Sequence, residues 1–209
     1  MHTTVNLSRI GPFSPAEAGR LFGEFDESGM SRHLGVRRRQ LFTFNDLLIH
    51  VQDFDHEPGE GTVFQPGTAY SPFDAHATRF YTWAGRPAAT TPAVTSTALY
   101  STVIVGRMDE ARTAEVCQVF SELDSTDFPG KMGTRRRQLY LCRDVYLHVQ
   151  HFTQPSGTEL IDQAWLEADP RFIKACQELM AIIPPYEPRA WTVPTDSVAT
   201  RFYQWEEGQ

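Results

Sequence analysis

Three cysteines in 209 residues, Cys117, Cys142 and Cys176, are an odd number with no C-x-x-C spacing, so neither a disulfide framework nor a zinc site is indicated. The chain has no stretch approaching the roughly 20 apolar residues of a membrane span. Its opening, MHTTVNLSRIGPF, lacks the basic region and long apolar run of a secretion signal, so a cytoplasmic protein without a membrane partner is expected. Positive charge is also short: 19 Lys and Arg against 26 Asp and Glu leave a net charge of -7, which argues against a nucleic-acid partner. No glycine-rich loop of the phosphate-cradling kind and no ligand cluster is visible, so neither an organic cofactor nor a metal is expected.

What is present is a core's worth of apolar residues, 41% of the chain with 12% aromatic, and a repeat. GVRRRQLFTFNDLLIHVQDF at 35–54 returns as GTRRRQLYLCRDVYLHVQHF at 133–152, an offset of 98. LSRI at 7–10 matches VGRM at 105–108, FGEFDES at 22–28 matches FSELDST at 120–126, and ATRFYTW at 77–83 matches ATRFYQW at 199–205. His50 to Trp83 spans 33 positions and His148 to Trp205 spans 57, so the first copy lacks 24 residues in one place. At that place the second copy has apolar residues at helical spacing from Leu160 to Met180, a helix interrupted at Pro170. Around it the second copy offers strands at 99–107, 133–142, 145–152 and 199–205 and a first helix at 110–122. That order, βαββαβ, is the ferredoxin-like unit, and the first copy follows it without its second helix. The fold class is therefore α+β. Residues 1–84 form a truncated repeat, 85–97 a Pro-, Ala- and Thr-rich linker and 98–209 a complete repeat, with the boundary near Thr95. A four-stranded sheet covered by helices on one face leaves the other bare, so the copies are expected to pack on each other as an internal dimeric α+β barrel.

Only two residues join the central strands of each copy, Asn45-Asp46 and Arg143-Asp144, which predicts tight hairpins. In that register Arg137 lies opposite Gln150, Leu139 opposite His148 and Arg135 opposite Phe152, so Arg135, Arg137, Tyr146, His148 and Gln150 share a face. Arg137 and His148 become diagonal neighbours, roughly 7 to 8 Å apart at the backbone. Arg39, His50 and Gln52 repeat the arrangement. Along the third strand Val145, Leu147 and Val149 are plain core, whereas Tyr146, His148 and Gln150 mix aromatic surface with donors and acceptors, as a ligand pocket does. The middle arginines, Arg38 and Arg136, are expected to be solvated. His151 falls on the opposite face from His148, so HVQH is no metal pair, and His2, His33, His56 and His76 are expected at the surface. Asp26 and Asp124 end the first helices, where a carboxylate opposes the macrodipole; each is either a turn-forming residue or part of the site. The closing segments Arg79–Trp83 and Arg201–Trp205 are expected chiefly to pack the sheet.

FSELDSTDFPGKMGTRRRQLYLCRDVYLHV, the later ADPRF, PPYEPRAW and the terminal ATRFYQWE resemble the tetracenomycin-type aromatic polyketide cyclases, small ferredoxin-like proteins that normally pair as dimers. The resemblance spans nearly all of the second half and most of the first. It implies aldol-type ring closure and aromatising loss of water on a poly-β-ketone, without cofactor, in antibiotic or pigment biosynthesis. The partners it implies are the small-molecule intermediate and an acyl carrier protein or other polyketide synthase components. Such a reaction needs a base for a proton flanked by carbonyls and a cation for the enolate oxygen. A histidine titrating near neutrality and a permanently charged arginine suit those tasks. The third arginine of the family's G-x-R-R-R motif and the histidine of its L-Y-x-H motif fall on Arg137 and His148, and on Arg39 and His50 in the first copy. Some members carry a histidine just before the helix-ending aspartate; here Leu123 and Phe25 stand there, which leaves Asp124, with Asp26 as its counterpart, as the acid/base candidate. Arg135, Tyr146, Gln150 and Trp165 are the candidate substrate contacts. Two other functions fit the resemblance: a cofactor-independent oxygenase acting on a similar polycyclic compound, and a non-catalytic protein that shapes the reactive polyketide. Because only the second copy keeps both helices to enclose a substrate, it is expected to carry the main site, with the space around Arg39 and His50 either open or filled by Phe42, Phe44 and Phe54.

Overall fold

The computed structural model describes residues 2–11, 14–58, 75–85, 100–152 and 157–208. The expected loss of a helix from the first repeat falls largely on 59–74, and most of the linker on 86–99, both outside the described residues.

The first repeat supplies strand β1 (His2–Arg9), helix α1 (Pro15–Glu27), a short helix α2 (Met30–His33), the hairpin β2 (Val36–Phe44) and β3 (Leu47–Phe54), and a closing pair β4 (Ala75–His76) and β5 (Thr78–Ala84). The second supplies β6 (Tyr100–Arg107), α3 (Thr113–Asp124), α4 (Phe128–Lys131), the hairpin β7 (Thr134–Cys142) and β8 (Val145–Phe152), α5 (Gly157–Glu167), α6 (Pro170–Met180) and the closing strand β9 (Thr200–Glu206). Helix α1 starts where a capping box dictates: the Ser14 hydroxyl accepts from the Glu17 amide and the Glu17 carboxylate accepts from the Ser14 amide, with Pro15 at the first helical position. Pro170 likewise begins a helix rather than kinking one, since Asp169 caps α6 and Ala168 is in the left-handed conformation. Both hairpins form as the spacing predicts, with Asn45 and Arg143 at positive φ in the turns.

The chain divides into two compact units, 1–77 with 199–209, and 78–198. These do not follow the repeats. In the first unit the sheet order is β4-β1-β3-β2-β9, and in the second it is β5-β7-β8-β6, all neighbours antiparallel. Each repeat's closing segment starts against its own first strand, through Asn6↔His76 in one and Ile104↔Val198 in the other. It then leaves to pair with the second strand of the other repeat: β5 lies on β7, and β9 lies on β2. Sequence alone suggests a repeat that closes its own sheet; the structure exchanges the closing strands.

In the second unit α3, α5 and α6 pack around Val119, Leu123, Phe128, Ile161, Ala164 and Ala175, and a second cluster joins Phe120, Leu139, Tyr146 and Ile182. In the first unit Phe22, Leu41 and Leu48 form the corresponding cluster under α1. No helix among the described residues is long and apolar enough to cross a membrane.

Candidate active site

The three consecutive arginines face three different ways. A β-bulge in each hairpin makes the first one the extra residue: Thr134 pairs with Phe152 and Arg136 with His151, so Arg135 has no place on the site face, and Thr134 takes the position expected for it. Arg37 bulges in the same way and bonds Asp55 at the surface. The bulge and the alternation turn the middle arginines onto the opposite face of the sheet, where Arg38 is buried and Arg136 half-buried instead of solvated. Arg38 is buried and donates to Asp53, which also accepts from Thr3, while Arg136 donates to Nε2 of His151, whose Nδ1 meets Ser101. The third arginines, Arg39 and Arg137, point towards the helices.

There the helix-ending aspartates wait for them. In α1 and α3 a phenylalanine and an aspartate lie four residues apart on one face, Phe22 with Asp26 and Phe120 with Asp124, so the ring and the carboxylate reach the sheet together. Arg137 Nη1 donates to Asp124 Oδ1 at 2.5 Å and its guanidinium sits 4.6 Å over the Phe120 ring. Phe120 also meets the His148 ring edge-on at 5.1 Å. The other carboxylate oxygen, Asp124 Oδ2, accepts from the Tyr81 hydroxyl at 2.9 Å. Burial raises the Asp124 pKa despite Arg137 and Tyr81, which act to lower it. Burial also holds Tyr81 above its ordinary value, so it remains a donor. Sequence reasoning treated the closing strands as packing and missed this tyrosine, although its counterpart Tyr203 stands at the same place in the other copy.

Above this sheet lies a cavity of about 460 Å³, within the ~300–1,000 Å³ range of small-molecule sites. Its sheet wall carries Arg137, Tyr146, His148 and Gln150; its helical walls are apolar, with Phe120 from α3, Trp165 from α5 and Phe172 and Leu179 from α6. Trp165 packs edge-on against Phe172 at 5.2 Å. Pro184, Pro185 and Trp191 complete the rim. Of the sequence-predicted residues, Arg137, Tyr146, His148, Gln150 and Trp165 therefore meet at one cavity, Asp124 stands behind Arg137, and Arg135 is not among the lining. Cys176 also lines the cavity, its thiol pushed up to about 12 by burial.

Three polar atoms on this wall have no hydrogen-bond partner: His148 Nε2, the Tyr146 hydroxyl and Arg137 Nε. Buried polar groups in a folded protein are normally satisfied, so such a cluster calls for an explanation. Gln150, by contrast, is committed to Thr134 at 2.6 Å. The expectation of a histidine titrating near neutrality does not hold: burial, and then the Arg137 charge, hold His148 well below 6.5, so it is a neutral imidazole at physiological pH.

The first unit builds the same constellation and closes it. Arg39 is fully buried and all three of its nitrogens are engaged: Nε with Asp26 at 3.0 Å, Nη2 with Ser31 at 2.9 Å and Nη1 with His50 Nε2 at 2.8 Å. An arginine only donates, so His50 Nε2 must accept, which fixes the neutral Nδ1–H tautomer. Ser31 also bonds Asp26, and Tyr203 donates to Asp26 Oδ2 at 2.7 Å. Phe22 and Phe25 from α1 cover the guanidinium at 5.0 and 5.4 Å. These helix residues fill the space; Phe42 and Phe44 alternate onto the other face of β2. Among the differences between the copies, Phe25 corresponds to Leu123, Ser31 to Pro129 and Leu48 to Tyr146. The second unit thus loses the hydroxyl that ties down the arginine and gains one on the cavity wall.

A sequence profile described as "Polyketide synthesis cyclase" matches residues 2–65 and 100–206. The chain belongs to this family. Over 106 residues it is 32% identical to tetracenomycin F2 cyclase from Streptomyces glaucescens, a match that covers 51% of this chain and 94% of that one. Polyketide synthase CurG from Streptomyces cyaneus is 27% identical over 108 residues, covering 52% of this chain and 98% of its own. Single-copy relatives thus align almost whole with half of this cyclase-family chain, as a tandem duplication requires. An anthrone oxidase-like protein superposes over 99% of the chain and 93% of its own with a TM-score of 0.54 at 12% identity, a likeness of fold alone. Among the described residues of this family member, no group of three His, Cys, Asp or Glu gathers as a metal site.

Proposed function

We propose that the chain closes a ring in a poly-β-ketone intermediate by intramolecular aldol addition and aromatising loss of water, and that the second unit performs it. The observation that carries this reading is the unpaired set of His148 Nε2, the Tyr146 hydroxyl and Arg137 Nε on the polar wall of an otherwise apolar cavity. A flat, oxygen-bearing ligand would satisfy all three.

His148, neutral at working pH, removes a proton from a carbon between two carbonyls, and Arg137 holds the enolate oxygen that results. The enolate carbon attacks a carbonyl carbon of the same chain, forming the ring bond; the alkoxide so produced takes the proton back from the imidazolium. A second removal of a ring proton by His148 expels the hydroxyl, which leaves as water with that proton. Arg137 lowers the basicity of His148 in the empty site, and the charge on the developing enolate offsets that effect as the proton moves. Tyr146 donates to a second substrate oxygen, and Trp165 and Phe172 hold the plane of the ligand. Asp124 has both oxygens occupied, by Arg137 and Tyr81, and so acts by holding the arginine rather than as a proton carrier. The substrate arrives free or on an acyl carrier protein.

The test supplies the protein with a reconstituted polyketide synthase, presenting both forms of the substrate, and compares His148→Ala with His50→Ala. His148→Ala is expected to lose at least the roughly hundredfold typical of an acid/base residue, and His50→Ala much less. Equal losses would point to two sites, and no loss from either to a protein that only shapes its ligand.

A further inference from the structure

The exchange of closing strands has a chemical consequence at the cavity. Tyr81 belongs by sequence to the first repeat, yet its hydroxyl reaches Asp124 Oδ2 at 2.9 Å, behind the arginine of the second repeat. It arrives there on β5, which pairs with β7 so that Tyr81 lies opposite Leu139, two residues from Arg137. The approach depends on an irregularity. Between Arg79 and Tyr81 the register shifts, leaving Phe80 as an extra residue, and such a bulge re-aims the side chain that follows it.

The other unit repeats every part of this. Its β9 register shifts so that Arg201 pairs with Phe42 and Tyr203 with Leu41, with Phe202 as the extra residue, and Tyr203 donates to Asp26 Oδ2 at 2.7 Å. The same bulge, tyrosine and aspartate therefore occur twice, each time with the tyrosine coming from the other repeat.

We propose that Tyr81 is a positioning residue of the second-unit site: its hydroxyl fixes the Asp124 carboxylate, which in turn aims Arg137 at the substrate. This rests on the reading of that cavity as the cyclase site. It means that the site of the C-terminal repeat is completed by a strand of the N-terminal one. With Oδ1 on Arg137 and Oδ2 on Tyr81, the carboxylate cannot rotate without breaking a charge-assisted bond. Loss of the hydroxyl would free one oxygen, let the carboxylate turn and loosen the guanidinium, whose Nε has no partner of its own.

The experiment compares Tyr81→Phe with Tyr203→Phe, which removes the matching bond in the first unit. For each, kcat and KM on the cyclised substrate are measured across pH, along with a carboxyl-carbon NMR titration of Asp124 and hydrogen exchange at the Arg137 side chain. The ionisable groups that act on Asp124 are Arg137 and Tyr81; Cys117 acts in turn on Tyr81, and Tyr146, His148 and Cys176 feel the charge of Arg137. Tyr81→Phe is expected to lower kcat about tenfold with KM within twofold, roughly the loss of one bond to a charged group. It should also raise the Asp124 pKa, because the tyrosine bond lowers it, and speed exchange at Arg137. Tyr203→Phe should lower thermal stability by a similar amount and leave kcat unchanged. The proposal is overturned if Tyr81→Phe keeps kcat within twofold, if both variants lose activity equally, or if the Asp124 titration does not move. Should the unaltered protein form no cyclised product, the cyclase reading falls on that result alone. The NMR titration and exchange still decide whether Tyr81 sets the Asp124–Arg137 pair.

Discussion

Each unit encloses a histidine that folding keeps neutral, and acid should expose the cost. Burial, then the neighbouring arginine, hold His50 and His148 well below 6.5. In the unfolded chain both would protonate near that ordinary value. A group with a depressed folded pKa leaves the unfolded state binding more protons over the interval between the two values, so stability falls as pH drops below about 6.5 and is fully present above it. Within that interval each histidine removes about 1.4 kcal/mol per pH unit. Between pH 7.5 and 5.5 the pair should therefore cost at most roughly 3 kcal/mol, against a total that is typically ~5–15 kcal/mol. His76, also lowered by burial, acts in the same direction, and Asp124, whose raised pKa favours the folded state as protons are added, partly offsets them. Urea unfolding followed by far-UV circular dichroism at pH 7.5, 6.5 and 5.5 measures the loss, and His50→Gln should remove close to half of the pH slope. An unfolding midpoint that is constant or rises towards pH 5.5, or a slope untouched by His50→Gln, would refute the reasoning.

The neutral state of His148 also predicts that cyclase activity is flat from pH 6.5 to 8 and declines only on acidification below that range, measured as kcat/KM against pH; a base limb centred near 6.5 would contradict its burial. A Cβ on Gly106 would lie 2.6 Å from Ile183 and 3.3 Å from the Pro184 carbonyl, so Gly106→Ala should push the rim segment off β6. That should destabilise the protein by ~1–3 kcal/mol in thermal or urea melts and raise KM. Arg135→Ala should leave KM within twofold, since the bulge takes that residue away from the cavity, whereas Arg137→Ala should both lose activity and destabilise by ~3–5 kcal/mol as it leaves Asp124 buried without its partner.

The hairpins were legible in the sequence because a two-residue connection leaves almost no freedom in register: Arg137 opposite Gln150 and Leu139 opposite His148 are both found. The bulge that displaces Arg135 was not, since one extra residue in an arginine triplet leaves no mark on the alternation. Asp124 stood out as an oddity at the end of a helix, and its reason, Arg137, became visible only when helix was packed on sheet. The depressed pKa of His148 depends on complete burial, which no local pattern reports. The exchange of closing strands was invisible for a different reason: ATRFYTW and ATRFYQW are nearly the same string, and nothing within either says which sheet it will join. The differences around an occupied arginine and an available one, Phe25 against Leu123, Ser31 against Pro129 and Leu48 against Tyr146, could be read from the aligned copies. Their meaning came from the hydrogen bonds of Arg39.

Exchanged strands also set a schedule for the nascent chain. Domains generally form in the order they are made, the N-terminal one first. Here β1, β2 and β3 are synthesised early, but the edge of β2 stays bare until β9, the last of the described strands, leaves the ribosome. The second unit has no such delay: β5 has been made before β7 appears, so its sheet can be complete while β9 is still being translated. The half that carries the cavity should therefore mature first, and the half synthesised first should finish last. Until then its open β2 edge is available to other strands, which makes the interval before β9 emerges the period of greatest exposure to misassembly.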